Sequence, residues 1–464
     1  MLTLFFRKLI KFFISFPLKV LSVIFYIILF PVKPKMFERL PLRIRTIISK
    51  IVYEIARVQL KSSLYNSASK TFELSTKIQN KPIKKELFVF EAYKGRQYAC
   101  SPKALYEHLI KTFGYGNYSF IWIFRNVDKH SYLLNNPNTK LIKYNTWAAI
   151  QSYREAKYII TNSLLPYALF KQPNQILVQC WHGTPFKKIG LDVKVKNNQK
   201  LLVDKETLNS YNKYSLQYDF FLSPSKFASE KFISAFNLTG HKKENIILEK
   251  GYPRNDYLIK YKNNPVNNIK TYLNIPQNKK IILYAPTWRD DQISLNKGFK
   301  FTSFLDFEKL KPELESSYII LLRAHYLISE SLDYSNLKDF VYNVSNVDDI
   351  NDLYLISDLL ITDYSSAFFD YALLERPIIF YMPDYSKYKN QLRDFYLSLE
   401  NLPSNIITNQ KELPNEIINF YENNGNFHQN ITNFNKAFNT NDDGNASERV
   451  IDILLGRNDN VNNN

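Results

Sequence analysis

Residues 359–381 read LLITDYSSAFFDYALLERPIIFY, and this stretch predicts the class of the fold. Its first four residues form a short apolar run that is typical of a buried parallel strand. A polar turn with Asp363, Ser365 and Ser366 follows, and these residue types favour helix N-termini. An apolar helix then extends to Pro377, which ends the helix and begins the next apolar run. The stretch therefore predicts a strand–turn–helix–strand unit of a parallel α/β fold.

The start of this helix has two interpretations. Free backbone N–H groups at a helix N-terminus bind anions, usually phosphate. The alternative is a capped core helix that binds nothing. Two other strands of this half, predicted over 281–284 and 318–322, end in side chains that suit phosphate, namely Thr287, Arg289, Arg323 and His325. Because parallel strands bring their carboxyl ends to one sheet edge, we expect a diphosphate site there. The sequence has no P-loop and no glycine-rich dinucleotide motif, so it does not indicate binding of ATP or NAD.

The first half of the chain shows the same alternation of strands and helices. Strands are predicted over 86–93, 118–124, 157–161 and 175–180, with a helix over 102–113. This order indicates parallel α/β units. A polar loop over 263–268 separates the two halves. We therefore predict domains over 84–262 and 263–455, preceded by a segment of residues 1–83 and followed by a disordered tail of residues 456–464.

A candidate catalytic residue lies in the stretch CWHGTPFK, residues 180–187. His182 follows a buried strand, where open α/β sheets place ligands, and histidine suits proton abstraction near neutral pH. Gly183 would let a ligand approach the backbone. Thr184 followed by Pro185 predicts a helix start. The alternative is a structural histidine whose ring is satisfied by hydrogen bonds.

Charge is concentrated at the N-terminus. The net charge is +18, and residues 1–50 contain ten Lys and Arg against Glu38 alone. Residues 12–32 are largely apolar but are interrupted by Pro17 and Lys19. We predict that this segment is helical and lies on the cytoplasmic leaflet, in contact with anionic lipid. A true membrane span and a buried helix are the alternatives. Two cysteines fit a reducing compartment, and no motif indicates nucleic-acid binding.

Five motifs together carry a family resemblance. They are residues 180–187, GYPRND at 251–256, YAPTWR at 284–289, LRAH at 322–325 and TDYSS at 362–366. Their order and spacing resemble the CDP-glycerol glycerophosphotransferases, which include teichoic acid primases and polymerases and some capsule polymerases. The resemblance covers roughly residues 84–455. It implies two Rossmann-like domains facing a cleft, as in glycosyltransferase-B enzymes, and a peripheral enzyme on the cytoplasmic face of the cell membrane.

The resemblance also implies roles for individual residues. His182 matches the proposed catalytic base, and His325 matches a second essential histidine near the donor phosphates. The CDP-alditol site would include the residues Thr287, Arg289, Arg323, Thr362, Asp363, Ser365, Ser366 and Asp370. Of these, Asp370 resembles the acidic residue that binds the nucleotide ribose, although Asp replaces the usual Glu. The acceptor side would include Gly183, Thr184 and Lys187.

The implied reaction transfers a phosphoalditol from CDP-glycerol or CDP-ribitol to a hydroxyl of a lipid-linked (undecaprenyl) acceptor, and CMP leaves. No cofactor is implied. The need for a metal stays open, because the only adjacent carboxylates near the site are Asp290 and Asp291. One alternative is a glycosyltransferase of the same fold that uses a nucleotide sugar. The other is a non-catalytic membrane-bound assembly protein, which the presence of both His182 and His325 argues against.

Overall fold

A computed structural model gives the structure of most of the chain. It describes residues 82–165, 171–193, 205–264, 268–287, 293–294, 298–299, 304–324, 337, 339–385, 388, 394–422 and 425–457. Within these ranges, no helix is long and apolar enough to cross a membrane. The predicted membrane-associating segment lies outside the described residues, apart from 82 and 83. Arg289, Asp290, Asp291 and His325 also lie outside them.

The first half of the chain forms a parallel sheet of seven strands in the order β3-β2-β1-β4-β5-β6-β7. The strands are β1 (Lys84–Glu91), β2 (Ser119–Phe124), β3 (Thr139–Lys143), β4 (Ala156–Thr161), β5 (Ile176–Gln179), β6 (Phe220–Ser223) and β7 (Ile247–Glu249). β3 was not predicted. The order reverses between β1 and β4, and this is the point at which open α/β sheets bind ligands.

Helices connect and cover this sheet. They are α1 (Cys100–Phe113), α2 (Trp147–Glu155), α3 (Lys205–Ser215), α4 (Lys226–Ala235) and α5 (Pro253–Tyr261). α4 begins as expected from a serine cap, because Ser225 Oγ accepts the Ala228 N–H. α5 begins with Pro253 in its first turn, where the missing N–H has no helical partner.

The second half forms a parallel sheet of six strands in the order β12-β11-β8-β13-β14-β15. The strands are β8 (Lys280–Ala285), β11 (Tyr318–Leu322), β12 (Val341–Asn343), β13 (Leu359–Thr362), β14 (Ile378–Tyr381) and β15 (Ile406–Ile407). A separate antiparallel pair joins β9 (Ile293–Ser294) to β10 (Gly298–Phe299). β11 and β13 are buried along their whole length, as continuous apolar strands covered on both faces should be.

The helices of this half are α6 (Asn268–Tyr272), α7 (Phe307–Leu314), α8 (Ile350–Ile356), α9 (Ala367–Ala372), α10 (Leu413–Glu422), α11 (Gly425–Phe438) and α12 (Ala446–Leu454). α9 is shorter than predicted. It ends five residues before Pro377 because the chain turns after Ala372, with Glu375 in a left-handed conformation at φ 57°. The two sheets confirm the α/β prediction, and both have the Rossmann-type strand order.

The last helix does not stay with the second sheet. Val450, Ile451 and Leu454 of α12 pack into the apolar cluster beneath β1, β2 and β4. Conversely, Leu258 of α5, a helix of the first half, packs into the apolar cluster of the second sheet. The predicted domain of residues 263–455 therefore differs from the structure at its end, since the last helix completes the core of the first sheet.

Candidate active site

His182 lies just beyond the carboxyl end of β5, with its side chain exposed. Its Nδ1 is 2.9 Å from the carbonyl oxygen of Asn162, at the end of β4. A carbonyl can only accept, so Nδ1 carries the proton and Nε2 is left as an acceptor. The Trp181 ring stacks on the imidazole at 4.4 Å and limits its rotation. His182 therefore has a fixed orientation and a defined tautomer.

The surroundings of the ring keep it neutral. Surrounding protein atoms lower the pKa of His182 below its ordinary value, because desolvation disfavours the imidazolium. The hydrogen bond to the Asn162 carbonyl opposes this shift, and the positive charge of Arg254 adds to it. One side of the ring stays exposed to water, which limits the shift. The direction favours the neutral imidazole, the form that accepts a proton.

Asn162, which the sequence analysis missed, links two strand ends to the histidine. It is fully buried, and its Oδ1 accepts the backbone N–H of Tyr93 at 2.7 Å. This bond joins the ends of β1 and β4, where the strand order of the first sheet reverses. The sequence signal was the polar triplet Thr161-Asn162-Ser163 directly after an apolar strand, a pattern like the one used to predict the phosphate site.

The loop after His182 faces the second sheet directly. A Cβ atom placed on Gly183 would lie 2.5 Å from Ser366 Oγ, so the missing side chain permits close approach of these two loops. Gly183 and Thr184 are both buried, and Thr184 is only 1% exposed. Both residues therefore have packing contacts in this structure, and their predicted acceptor contacts stay a prediction.

The predicted helix after Thr184 and Pro185 does not form. The chain from Phe186 to Ile189 instead pairs with residues 394–396. Lys188 N donates to Asp394 O at 2.9 Å, and Tyr396 N donates to Phe186 O at 2.8 Å. These long-range hydrogen bonds replace those that a helix would make. Lys187 lies in this pairing, with its ammonium 5.8 Å from the centre of the Tyr388 ring.

The carboxyl ends of β11, β8 and β13 lie side by side, as predicted for the phosphate site. Asp363 Oδ1 accepts both the backbone N–H and the hydroxyl of Thr287, at 2.8 and 2.6 Å. Thr362 is fully buried and donates its hydroxyl to Ala285 O at 2.8 Å. Thr287, Thr362 and Asp363 therefore hold the strand ends together, and this placement argues against a direct donor contact for Thr362 and Asp363.

Arg323 stabilises a loop of the second half. Its Nη1 donates to the carbonyl oxygens of Val344, Ser345 and Val347. The guanidinium thus closes the loop that leads from β12 to α8. Arg323 is only partly buried and these contacts use one of its three nitrogens, so its contact with the donor phosphates stays a prediction.

Ser365 and Ser366 are the members of the predicted phosphate site that stay half-exposed in the described part of the turn. Ser365 Oγ accepts the Ala367 N–H at 3.2 Å, at the first residue of α9. α9 has six residues, so its dipole contributes little, and the hydroxyl groups are the main donors that the turn offers. Ser366 lies opposite Gly183, which places this turn next to the loop of His182.

Asp370 forms a buried ion pair with Arg254, which the sequence analysis quoted only as part of a motif. Nη2 and Nε of the guanidinium lie 2.8 and 3.2 Å from the two carboxylate oxygens, and Asn255 Nδ2 donates to one of them. Arg254 is 4% exposed and Asp370 is 6% exposed. This placement argues against the predicted ribose contact of Asp370. The pair instead joins α5 to α9, the helix that follows Ser365 and Ser366.

Among the described residues, no group of three His, Cys, Asp or Glu side chains could hold a metal ion. The site in this part of the chain places an imidazole from the first sheet opposite a hydroxyl-bearing turn from the second. Such an arrangement suits transfer of a phosphoryl group to a hydroxyl.

The family model described as CDP-Glycerol:Poly(glycerophosphate) glycerophosphotransferase matches residues 74–456. The chain belongs to this family. A teichoic acid glycerol-phosphate transferase of Staphylococcus aureus is 39% identical over 85% of this chain and 98% of that protein. A teichoic acid poly(glycerol phosphate) polymerase of Bacillus spizizenii is 38% identical over 81% of this chain and 93% of that protein.

A glycerophosphotransferase family member of known structure has a similar fold. The wall teichoic acid polymerase TagF superposes with a TM-score of 0.75 at 35% identity, over 88% of this chain and 98% of that structure. Further TagF structures carry histidine substitutions, and two of these were soaked with CDPG. The chain is 38% identical to a longer teichoic acid poly(glycerol phosphate) polymerase of Staphylococcus epidermidis, of which it spans 53%.

Proposed function

We propose that this glycerophosphotransferase family member transfers glycerol phosphate from CDP-glycerol to a hydroxyl of a lipid-linked acceptor, in the synthesis of teichoic acid or a related capsule or surface polymer. The observation that carries the proposal is the placement of His182, with Nδ1 bound to Asn162 and Nε2 available, beside the Ser365–Ser366 turn. Family membership supports CDP-glycerol as the donor.

In the proposed reaction, the acceptor oxygen attacks the phosphorus that carries the glycerol. The bond from this phosphorus to the CMP oxygen breaks, and CMP leaves. Nε2 of His182 takes the proton of the attacking hydroxyl. Because Nδ1 donates to a carbonyl, the imidazolium that forms keeps one hydrogen bond and stays in place. The proton thus moves to a group whose orientation is set before the reaction begins.

The donor would bind to the second half of the chain. We propose that Ser365 and Ser366 donate hydrogen bonds to the diphosphate, and that Arg289 and His325, which lie outside the described residues, complete the site. Charged donors aimed at the leaving phosphate would stabilise the charge that develops there. Residues 84–262 would then form an acceptor domain and residues 263–455 most of a donor domain, facing a cleft as in glycosyltransferase-B enzymes.

The test of the proposed function is product analysis. The full chain, incubated with CDP-glycerol and a lipid-linked acceptor in detergent, is expected to release CMP in step with glycerol phosphate incorporation. A parallel incubation with CDP-ribitol measures alditol selectivity. Release of a nucleoside diphosphate from a nucleotide sugar, without CMP release from either CDP-alditol, would overturn the proposal and support a glycosyltransferase.

We also propose that residues 1–50 hold the enzyme on the cytoplasmic face of the cell membrane, because ten cationic residues flank and interrupt an apolar segment there. Deleting residues 1–50 is expected to move the protein from the membrane fraction to the soluble fraction, with CMP release from CDP-glycerol retained on a detergent-solubilised acceptor. Continued sedimentation of the truncated protein with membranes would place the attachment elsewhere.

A further inference from the structure

The first sheet has a feature that the proposed reaction does not use. Its strand order reverses between β1 and β4, so its crevice lies where Tyr93 and Lys94 meet Asn162 and Ser163. In open α/β sheets, ligands bind in this crevice. The second sheet reverses in the same way between β8 and β13, beside the proposed donor site. A bound group at the first crevice would lie in the half that carries the base.

Basic side chains gather at this crevice. Lys94 and Arg96 follow β1, and Arg125 follows the neighbouring β2. Arg125 Nε donates to Lys94 O at 2.9 Å, and Arg96 Nη1 donates to Tyr93 O at 3.0 Å. Lys94 and Arg125 have exposed side chains. We define these three residues, Lys94, Arg96 and Arg125, as the crevice cluster.

The turn is built to hold these cations close together. Tyr93, Lys94 and Gly95 all have positive φ, at 49°, 55° and 74°, a conformation that costs free energy for the first two residues. A Cβ atom on Gly95 would lie 3.0 Å from Ile123 O and 3.2 Å from Arg125 N. Only glycine therefore fits between the turn and β2 without displacement, and the close approach brings Lys94 beside Arg125.

Little negative charge offsets Lys94 and Arg125. In the part of the chain that the structure describes, no ion pair joins Lys94 or Arg125 to a carboxylate. The nearest acid is Glu91, which is fully buried and bonded by the Tyr153 hydroxyl. Burial raises the pKa of Glu91 to about 7, so much of it is uncharged near neutral pH. Partial burial lowers the pKa of Lys94, the Glu91 carboxylate opposes this shift, and Arg96 and Arg125 add to it by repulsion.

We infer that the crevice cluster binds a phosphodiester of the acceptor. This phosphodiester belongs to the part of the acceptor that precedes the attacking hydroxyl. Mutual repulsion among the cations would be relieved by a bound anion. Tyr93, the residue before Lys94, has its ring 5.9 Å from the His182 ring. β1 and β5 are two strand spacings apart, about 10 Å. This inference rests on the proposed function and names the chemistry of its acceptor.

The test uses the full chain and a soluble probe, a short poly(glycerol phosphate) fragment, with an uncharged polyglycerol of the same length as its control. Calorimetry is expected to show binding of the phosphate probe and none of the polyglycerol. Lys94→Gln is the most direct test of charge, because the Lys94 ammonium donates no hydrogen bond within the described part of the chain. It is expected to weaken probe binding about tenfold, and Lys94→Gln with Arg125→Gln by more than that. Lys85→Gln, which removes an exposed lysine near the opposite end of β1, is expected to bind as the wild type does.

Steady-state kinetics distinguish whether the bound phosphate belongs to the acceptor, to CDP-glycerol or to a lipid. The double variant should raise KM for a lipid-linked acceptor carrying glycerol phosphate and leave KM for CDP-glycerol unchanged. Equal probe binding by wild type and double variant would overturn the inference. The inference would also be overturned if the double variant raised only the KM for CDP-glycerol. It would be overturned as well if the double variant lost only its binding to phosphatidylglycerol vesicles. A wild type that binds the probe but releases no CMP would contradict the proposed function while leaving this subsite supported.

Discussion

His182→Ala is expected to lose turnover by about 10²–10⁴-fold, the usual contribution of a positioned general base. It should still bind CDP-glycerol, because the proposed diphosphate contacts come from the other half of the chain. The physical reason is the fixed tautomer: Nδ1 is bound to the Asn162 carbonyl, so Nε2 is the only ring atom that can take the proton. Single-turnover kinetics measures the first effect, and calorimetry with CDP-glycerol measures the second.

The control for this substitution is His428→Ala, which removes an exposed histidine of α11 and should leave turnover unchanged. The comparison variants are Arg289→Ala and His325→Ala, which should weaken CDP-glycerol binding as well as turnover. Near-normal turnover of His182→Ala would show that this residue is not the base. Loss of donor binding in His182→Ala, with donor binding retained in His325→Ala, would reverse the assigned roles.

The pH dependence provides a second measurement on the same residue. Activity requires the neutral imidazole, so kcat/KM falls as the pH drops through the pKa of His182. Because this pKa is lowered, the ascending limb should lie below the ordinary histidine value of about 6.5. An ascending limb above 6.5 would contradict the neutral, partly desolvated ring.

Arg254→Met should lower the free energy of unfolding by about 3–5 kcal/mol, the usual loss when one partner of a buried ion pair is removed. The pair is buried on both sides and the guanidinium contacts both carboxylate oxygens of Asp370. Its loss leaves that carboxylate uncompensated inside the protein. Turnover should also fall, since Asp370 lies on α9 and α9 follows the Ser365–Ser366 turn.

The double variant Arg254→Met with Asp370→Leu should be more stable than Arg254→Met alone, because it removes the unpaired charge. Lys84→Ala is the matched control. It breaks an exposed pair with Glu155 at 2.7 Å, and such pairs contribute about 0–1 kcal/mol. Urea unfolding followed by tryptophan fluorescence measures all three variants. Equal losses for Lys84→Ala and Arg254→Met would mean that the buried pair contributes no more than a surface pair.

Much of the fold could be predicted because its signals are local. β11 and β13 have the predicted bounds, since each is an apolar run with a polar residue directly after it. The adjacency of the three strand ends followed from the geometry of parallel sheets. The prediction of a helix after Thr184 was wrong because the contacts of this segment are not local. Its backbone hydrogen bonds go to residues about 200 positions later, and no local pattern reports such partners.

The site was harder to predict than the fold. Thr362 and Asp363 have residue types that suit a ligand, yet their side chains bond to the neighbouring strand end. A sequence does not indicate which way a polar side chain faces at a strand end. The partner of Arg254 is 116 residues away, so its burial was not apparent. His182 could be proposed as the base because glycine, a proline and a strand end surround it within eight residues.

The return of α12 to the first sheet has a consequence for synthesis of the chain. Val450, Ile451 and Leu454 complete the core beneath β1, β2 and β4, which are made from residues 84–161. Domains generally fold as units during synthesis, N-terminal first. Here the first unit lacks part of its interior until residues 450–454 have been translated. Its apolar surface stays exposed while the whole second half is translated. By then the basic N-terminal segment has already left the ribosome.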